Sequence, residues 1–252
     1  VSPVIERMPE LSVTRVSRWF FNCYLLGGEA DALVVVDPGM PRVADDLAPI
    51  VAELRGSIRV IAATHGHGDH VGGAAMLARR WDAAIYLPAV TLNYLDRVRP
   101  RTPSPAQMAR AWPLLFGQPF DGRGAIGSLR ATWTAGFGGP RGMRWAAASP
   151  AGGLTEGMSL PHAPEWTVID SPGHTDDSIV FWNENTRTLV SGDAVVSIGG
   201  RPCFAPDIVD AAAATRTRQR LLNLPVAHLL PGHGRPIHAE SVWALCDDAT
   251  GH

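Results

Sequence analysis

The stretch Thr64-His65-Gly66-His67-Gly68-Asp69-His70-Val71-Gly72-Gly73 decides how this chain reads. Three histidines and one aspartate fall within six residues, glycines stand between them, and a mostly apolar run from Ile58 to Ala63 leads in. Neutral imidazoles and a carboxylate are good ligands for zinc and other borderline divalent metals. Glycine lets the backbone bend sharply, so several such side chains can converge on one point. A strand, a tight ligand-rich loop and then a helix make a metal-site layout rather than a solvated histidine-rich loop.

Further downstream the same context returns three times. Ser171-Pro172-Gly173-His174-Thr175 follows Trp166 to Ile169, Ser191-Gly192-Asp193 follows Thr188 to Val190, and Pro231-Gly232-His233-Gly234 follows His228 to Leu230. Each candidate ligand stands just past a short β-like run, beside a glycine. Singly each is a weak signal. With the first loop they make five histidines and two aspartates in one repeated setting. That number suits two metal ions with an open position for water, not one closed structural site.

In these motifs, and in their order, the chain resembles the metallo-β-lactamase-fold hydrolase superfamily, over about Asn22 to Ile237. The resemblance implies an α/β fold, a four-layer αββα sandwich, and a dinuclear centre. His65, His67 and His174 would hold one metal, Asp69, His70 and His233 the other, and Asp193 would bridge them. Leu33-Val34-Val35-Val36-Asp37-Pro38-Gly39 resembles the family's early strand and turn, with Asp37 structural or behind the ligands. The implied cofactors are two divalent ions, zinc first, with iron or manganese as alternatives.

Such a pair of ions shares a water and lowers its pKa, giving a bridging hydroxide at neutral pH. Hydrolysis then needs no Ser or Cys nucleophile, and no Gly-x-Ser-x-Gly elbow is present. Asp69 is the candidate catalytic residue, orienting the water or accepting its proton. The expected reaction is cleavage of an ester, thioester or lactone. Asp193 argues against antibiotic hydrolysis, because β-lactamases of this fold generally lack the bridging carboxylate. Only 19 residues follow His233, short of the helical tail of glyoxalase II enzymes, and Val196 stands where acyl-homoserine lactonases usually carry a tyrosine. The alternatives are a mononuclear iron persulfide dioxygenase, with ligands at His65, His174 and Asp193, and a phosphodiesterase or nuclease of the same fold.

Composition bounds the rest. A chain of 252 residues, 46% hydrophobic and 18% charged, reads as one globular domain over 1–252. No apolar run approaches the ~20 residues that span a bilayer. The start, Val1 to Glu10, lacks the basic and apolar regions of a signal peptide, so a cytoplasmic location is expected. Cys23, Cys203 and Cys246 are odd in number, far apart and outside the ligand slots, so free thiols are expected. All 22 basic residues are arginine, which excludes a catalytic lysine.

Strand patterns fall near 11–17, 19–26, 32–36, 58–63 and 84–87, then near 166–170, 178–183, 187–191, 194–198 and 226–230. Helical patterns fall near 41–55, 72–81, 88–97, 105–116, 208–223 and 239–248. Two such sets predict two βα halves packed sheet on sheet. Between them, about 88–164 reads as an insertion rich in Pro and Gly. Between Arg97 and Arg144 it holds eight arginines and one acid, Asp121, together with several aromatics. Insertions between scaffold elements commonly carry specificity. This one is expected to cap the metal site, with Arg141, Arg144 and Trp145 as substrate contacts. The expected partner is a small molecule with an apolar part and an anionic group; a homodimer is left open, and no recognised nucleic-acid motif accompanies the arginines.

Overall fold

The computed structural model describes residues 2–246 apart from 41, 97, 103, 111–121, 123–124, 128–129, 132–134, 138–141 and 146. Strands β1 (Val4–Met8), β2 (Val13–Arg18), β3 (Phe21–Gly27), β4 (Ala32–Val36), β5 (Ser57–Ala62), β6 (Ala84–Pro88) and β7 (Gly152–Leu154) join in that order as one sheet. A second sheet is built from β8 (Ser159–Leu160), β9 (Ala163–Asp170), β10 (Ile179–Asn183), β11 (Thr188–Gly192), β14 (His228–Pro231) and β15 (Ile237–His238). Its order is β15-β14-β11-β10-β9-β8, and β12 (Val195–Ile198) and β13 (Arg201–Phe204) form a separate hairpin.

The side-chain period of two along each strand sorts the interior into three slabs. From β3, Tyr24 and Leu26 face Trp166, Val168, Phe181, Val190 and Leu230 between the sheets. Their neighbours Cys23 and Leu25 face outward, onto Val43, Leu47 and Ile50 of helix α1 (Val43–Leu54) and Leu77 of the later helix Ala74–Trp81. On the other side, Val180, Trp182, Leu189 and Leu229 meet Leu221 and Trp243. Both faces of each sheet are therefore covered, which is why β4 reads Ala-Leu-Val-Val-Val rather than alternating with polar residues. This is the expected αββα sandwich.

A bulge refines the parity. Leu33 pairs with Ile58 but Val34 pairs with Val60, so Arg59 is an extra residue in β5. Ile58 and Val60 then fall into opposite slabs although they are two apart.

Among the described residues, helices α1, α2 (Gly68–Val71), α3 (Ala74–Trp81), α4 (Ala89–Leu95), α5 (Pro105–Met108) and α6 (Ala211–Leu222) flank the sheets. The helix expected over 72–81 is thus two pieces, and Asp69 and His70 already lie in the first. Gly72 and Gly73 separate them: a Cβ on Gly72 would stand 2.5 Å from the Gly39 carbonyl, and Gly73 N donates to Pro38 O at 2.6 Å. The helix expected over 239–248 is only a 3-10 turn, Val242–Leu245. Its apolar residues dock instead of propagating: Val242 and Trp243 are buried, and Trp243 Nε1 donates to Leu224 O at 2.9 Å. Of the helix expected over 105–116, the first turn is present and 111–116 lie outside the described residues.

The span 88–164 needs correction at its ends, which belong to the sandwich. Leader strand β6 ends in Pro88, β7 pairs with it in parallel, and β8 pairs with β9. The part between the scaffold elements is accordingly narrower, from 96 to 151. No helix among the described residues is long and apolar enough to cross a membrane.

Candidate metal centre

Strand direction gathers the site. β4 and β5 run parallel, and β9, β11 and β14 run parallel to one another in the second sheet, since β10 is antiparallel to both β9 and β11. Asp37, the 64–70 loop, His174, Asp193 and His233 all follow the C-terminal ends of these strands. The two sheets are sewn together at this end. Ile179 N donates to Thr64 O at 2.8 Å, Asn22 N to Gly232 O at 3.0 Å, and Gly234 N to Phe20 O at 3.0 Å.

The seven sequence-expected ligand residues meet there in two groups, His65, His67, His174 and Asp193 in one and Asp69, His70 and His233 in the other. His67 Nδ1 lies 2.9 Å from His65 Nε2 and 3.3 Å from His174 Nε2. Asp193 Oδ2 is 3.5 Å from His174 Nε2 and 3.9 Å from His65 Nε2. The same oxygen is 3.1 Å from His233 Nε2, and Asp193 Oδ1 is 3.3 Å from His70 Nε2. Asp69 Oδ2 completes the second group, 3.4 Å from His233 Nε2. Donors about 2.0–2.1 Å from one tetrahedral ion stand about 3.3–3.4 Å from each other. The residues present fit a metal ion in each group, and the Asp193 carboxylate reaches both.

Other residues hold these side chains in place. Asp37 Oδ2 lies 3.0 Å from His70 Nδ1. Its carboxylate also accepts from Thr64 N at 2.7 Å and Thr64 Oγ1 at 2.8 Å. His174 Nδ1 lies 2.9 Å from the Asp207 carbonyl oxygen and 3.2 Å from its Oδ1. Asp177, fully buried, accepts from Gly66 N at 2.9 Å and Thr91 Oγ1 at 2.6 Å, tying the first loop to α4. Asn22 Nδ2 donates to Pro231 O at 2.8 Å and Gly234 O at 2.7 Å, and Tyr24 Oη donates to Pro231 O at 2.7 Å. These bonds grip the loop that carries His233, whose ring also sits edge-on to Phe20 and Phe21.

The electrostatics divide the histidines. Burial, then His70 and the other imidazoles, hold His65 well below its ordinary value. Burial, then His174, lowers His67 to about 4. At His233 burial also acts downward, but Asp193 and Asp69 outweigh it and raise the ring to about 10. His70 is raised in the same way, with burial overcome by Asp193 and Asp37. Burial would raise Asp69 and Asp193; His233 and His70 override it and hold both carboxyls below their ordinary range. The site thus keeps two lone-pair donors neutral and draws positive charge to its carboxylates. A bound cation would take the place of those protons, since a ligating imidazole must be neutral.

Among the expected substrate contacts, Arg141 lies outside the described residues. Arg144 is half-buried and forms a two-bond backbone bridge with Gly136, at 2.7 and 2.9 Å. The next residue, Phe137, is buried with its ring 4.6 Å from that of His67. Trp145 packs against the outer core and donates from Nε1 to Ala148 O at 3.0 Å. Arg101 pairs with Asp176 at 2.8 Å and Asp210 at 3.4 Å, and Gln107 Nε2 donates to Ile208 O at 2.6 Å. Arg101 and Gln107 of the inserted span therefore rest on the same 207–210 loop that holds His174. Asp177, Asp207 and Thr91 carried no sequence signal, since each meets the site only through the fold.

The model of the metallo-beta-lactamase superfamily matches residues 17–233. YflN of Bacillus subtilis strain 168, a probable metallo-hydrolase, is 26% identical over 237 residues, 84% of this chain and 79% of that protein. A hydroxyacylglutathione hydrolase of Bdellovibrio bacteriovorus is 25% identical over 169 residues, 66% of this chain and 45% of that protein, so less than half of that relative is spanned. Among solved structures, TTHA1623 in a di-iron-bound form superposes with a TM-score of 0.59 at 22% identity, covering 98% of this chain and 99% of that one. The B3 metallo-beta-lactamase BLEG-1 gives 0.60 at 19% identity, covering 92% and 95%. At these identities the structural likeness is one of fold.

Proposed function

The chain belongs to the metallo-β-lactamase superfamily, and from that premise we propose that it is a hydrolase acting through two divalent metal ions, zinc first, on an ester, thioester or lactone. The observation that carries the reading is Asp193, whose Oδ2 stands 3.5 Å from His174 Nε2 and 3.1 Å from His233 Nε2, joining the two ligand groups. Two divalent ions, when bound, supply hydroxide at neutral pH and polarise a carbonyl oxygen.

The chain's own residues do the rest. His65, His67 and His174 would hold one ion and Asp69, His70 and His233 the other, with Asp193 within reach of both groups. Asp69, held ionised, orients the attacking water and takes its proton at a carboxylate oxygen. Phe20 and Phe21 on one side and Phe137 on the other keep bulk water from the imidazoles. The span 96–151 acts as the cap of this domain, a reading supported by the contact of Phe137 with His67. Arg144, with Arg141 and Trp145, receives the anionic part of the substrate; guanidinium groups suit carboxylates and phosphates.

The test is metal analysis joined to a panel of aryl esters, thioesters, lactones and bis-aryl phosphates. About two ions per chain, hydrolysis of a carbonyl substrate, loss with a chelator and return with zinc, cobalt or manganese are expected. One iron per chain with oxygen uptake on a thiol or persulfide, and background hydrolysis with every metal, would replace this reading with the oxygenase one.

A further inference from the structure

His228 and His238 are not used by the site. They face each other across the β14–β15 pair, and the flanking bond from Ala239 N to Ala227 O makes theirs a non-hydrogen-bonded pair. Side chains stand closest at such pairs. The two Nδ1 atoms are 2.8 Å apart and the ring centroids 5.1 Å. His238 is exposed and His228 half-buried, so the pair opens to solvent. Burial, then His238, lowers the pKa of His228, with Glu10 acting upward and Arg187 downward. A neutral ring is a ligand.

We propose that His228 and His238 form a second, surface metal site, a cis bis-imidazole chelate for a tetragonal divalent ion such as Cu²⁺ or Ni²⁺. The distance suits that geometry, as it does a hydrogen bond between the rings. Two nitrogens about 2.0 Å from an ion at right angles stand about 2.8 Å apart, against about 3.3–3.4 Å for tetrahedral zinc. Copper also heads the affinity order for nitrogen ligands. Both rings ligate through Nδ1 as their Nε2–H tautomers, so the proton now shared between the Nδ1 atoms moves to an Nε2. Water fills the remaining positions.

The location gives the site a consequence. His228 opens β14, His238 closes β15, and the turn between the two strands carries His233. An ion at the pair staples the base of the hairpin whose tip belongs to the main centre.

The test uses the zinc-loaded protein, with its zinc counted first, so that failure of the main site is seen separately. Cu²⁺ is titrated into it and into His238→Gln by calorimetry and electron paramagnetic resonance. The wild type should take one copper equivalent more than the variant, without releasing zinc, with hyperfine structure from two nitrogens. That copper should raise the melting temperature of the wild type and not of the variant. His228→Gln should lose the same equivalent. Equal copper uptake by wild type and His238→Gln, or copper bound only as zinc leaves, would overturn the proposal and leave the pair as an Nδ1–H···Nδ1 hydrogen bond.

Discussion

Asp37 and Asp193 hold His70 from opposite sides: Asp37 Oδ2 is 3.0 Å from its Nδ1 and Asp193 Oδ1 is 3.3 Å from its Nε2. Asp37 has a positive φ of 55°, a conformation that asparagine shares readily. Asp37→Asn should therefore keep the turn and lose the carboxylate. The expected result is a metal affinity lower by about 10–100-fold, read by chelator competition. An unchanged affinity would mean that Asp37 serves only Thr64.

Asp193→Ala should lose one metal equivalent and most hydrolysis. Ligand loss also costs folding energy where binding and folding are linked. Thermal melts must accompany the metal counts, and a variant with two ions and full turnover refutes the bridge.

Stripped of metal, the centre should make stability depend on pH in two windows. His233 is raised from the ordinary 6.5 to about 10, so its contribution is whole below about 6.5 and fades as pH rises through about 10. His67 is lowered to about 4, so the fold holds it neutral and stability falls as pH drops from about 6.5 toward 4. Melts of metal-free protein across pH 4–10 should show both declines. Loaded protein should lack the alkaline one, because an ion replaces the proton on His233.

Gly232 has no room for a side chain: a Cβ there would stand 2.5 Å from Asp193 Oδ1 and 2.7 Å from His70 Cε1. Gly232→Ala should destabilise by about 1–3 kcal/mol through overpacking. It should also lower metal content, which a defect confined to the scaffold would not do.

Arg144→Ala should raise KM for an anionic ester and leave that for its neutral counterpart unchanged. Equal effects on both would point to a structural role of the side chain instead.

The ligand residues were legible because all but His70 sit beside a glycine, in loops that follow apolar runs, a pattern local enough to see in one dimension. The central strands were legible for the same reason. β7 was not: Gly152 and Gly153 carry no strand propensity, and they join the sheet by pairing with Tyr86 and Leu87, where a Cβ would sit tightly against the Tyr86 ring and Ala89. β1 was hidden by its exposed Val4 and Ile5 at the sheet edge. Asp207 and Asp177 were hidden because their partners, His174, Gly66 and Thr91, come from other segments. A carboxylate that works behind a ligand looks, in sequence, like any loop aspartate.

The division of the seven converging side chains between the two sheets has a consequence for a severed chain. His65, His67, Asp69 and His70 follow strands of the first sheet, while His174, Asp193 and His233 follow strands of the second. A cut between Leu95 and Gly152 yields one piece ending after β6 and another beginning with β7, the strand that completes the first piece's sheet. Neither fragment alone carries a full donor set. Mixed together, they should reassemble most readily when zinc is present, with the ion acting as the clasp of a split protein.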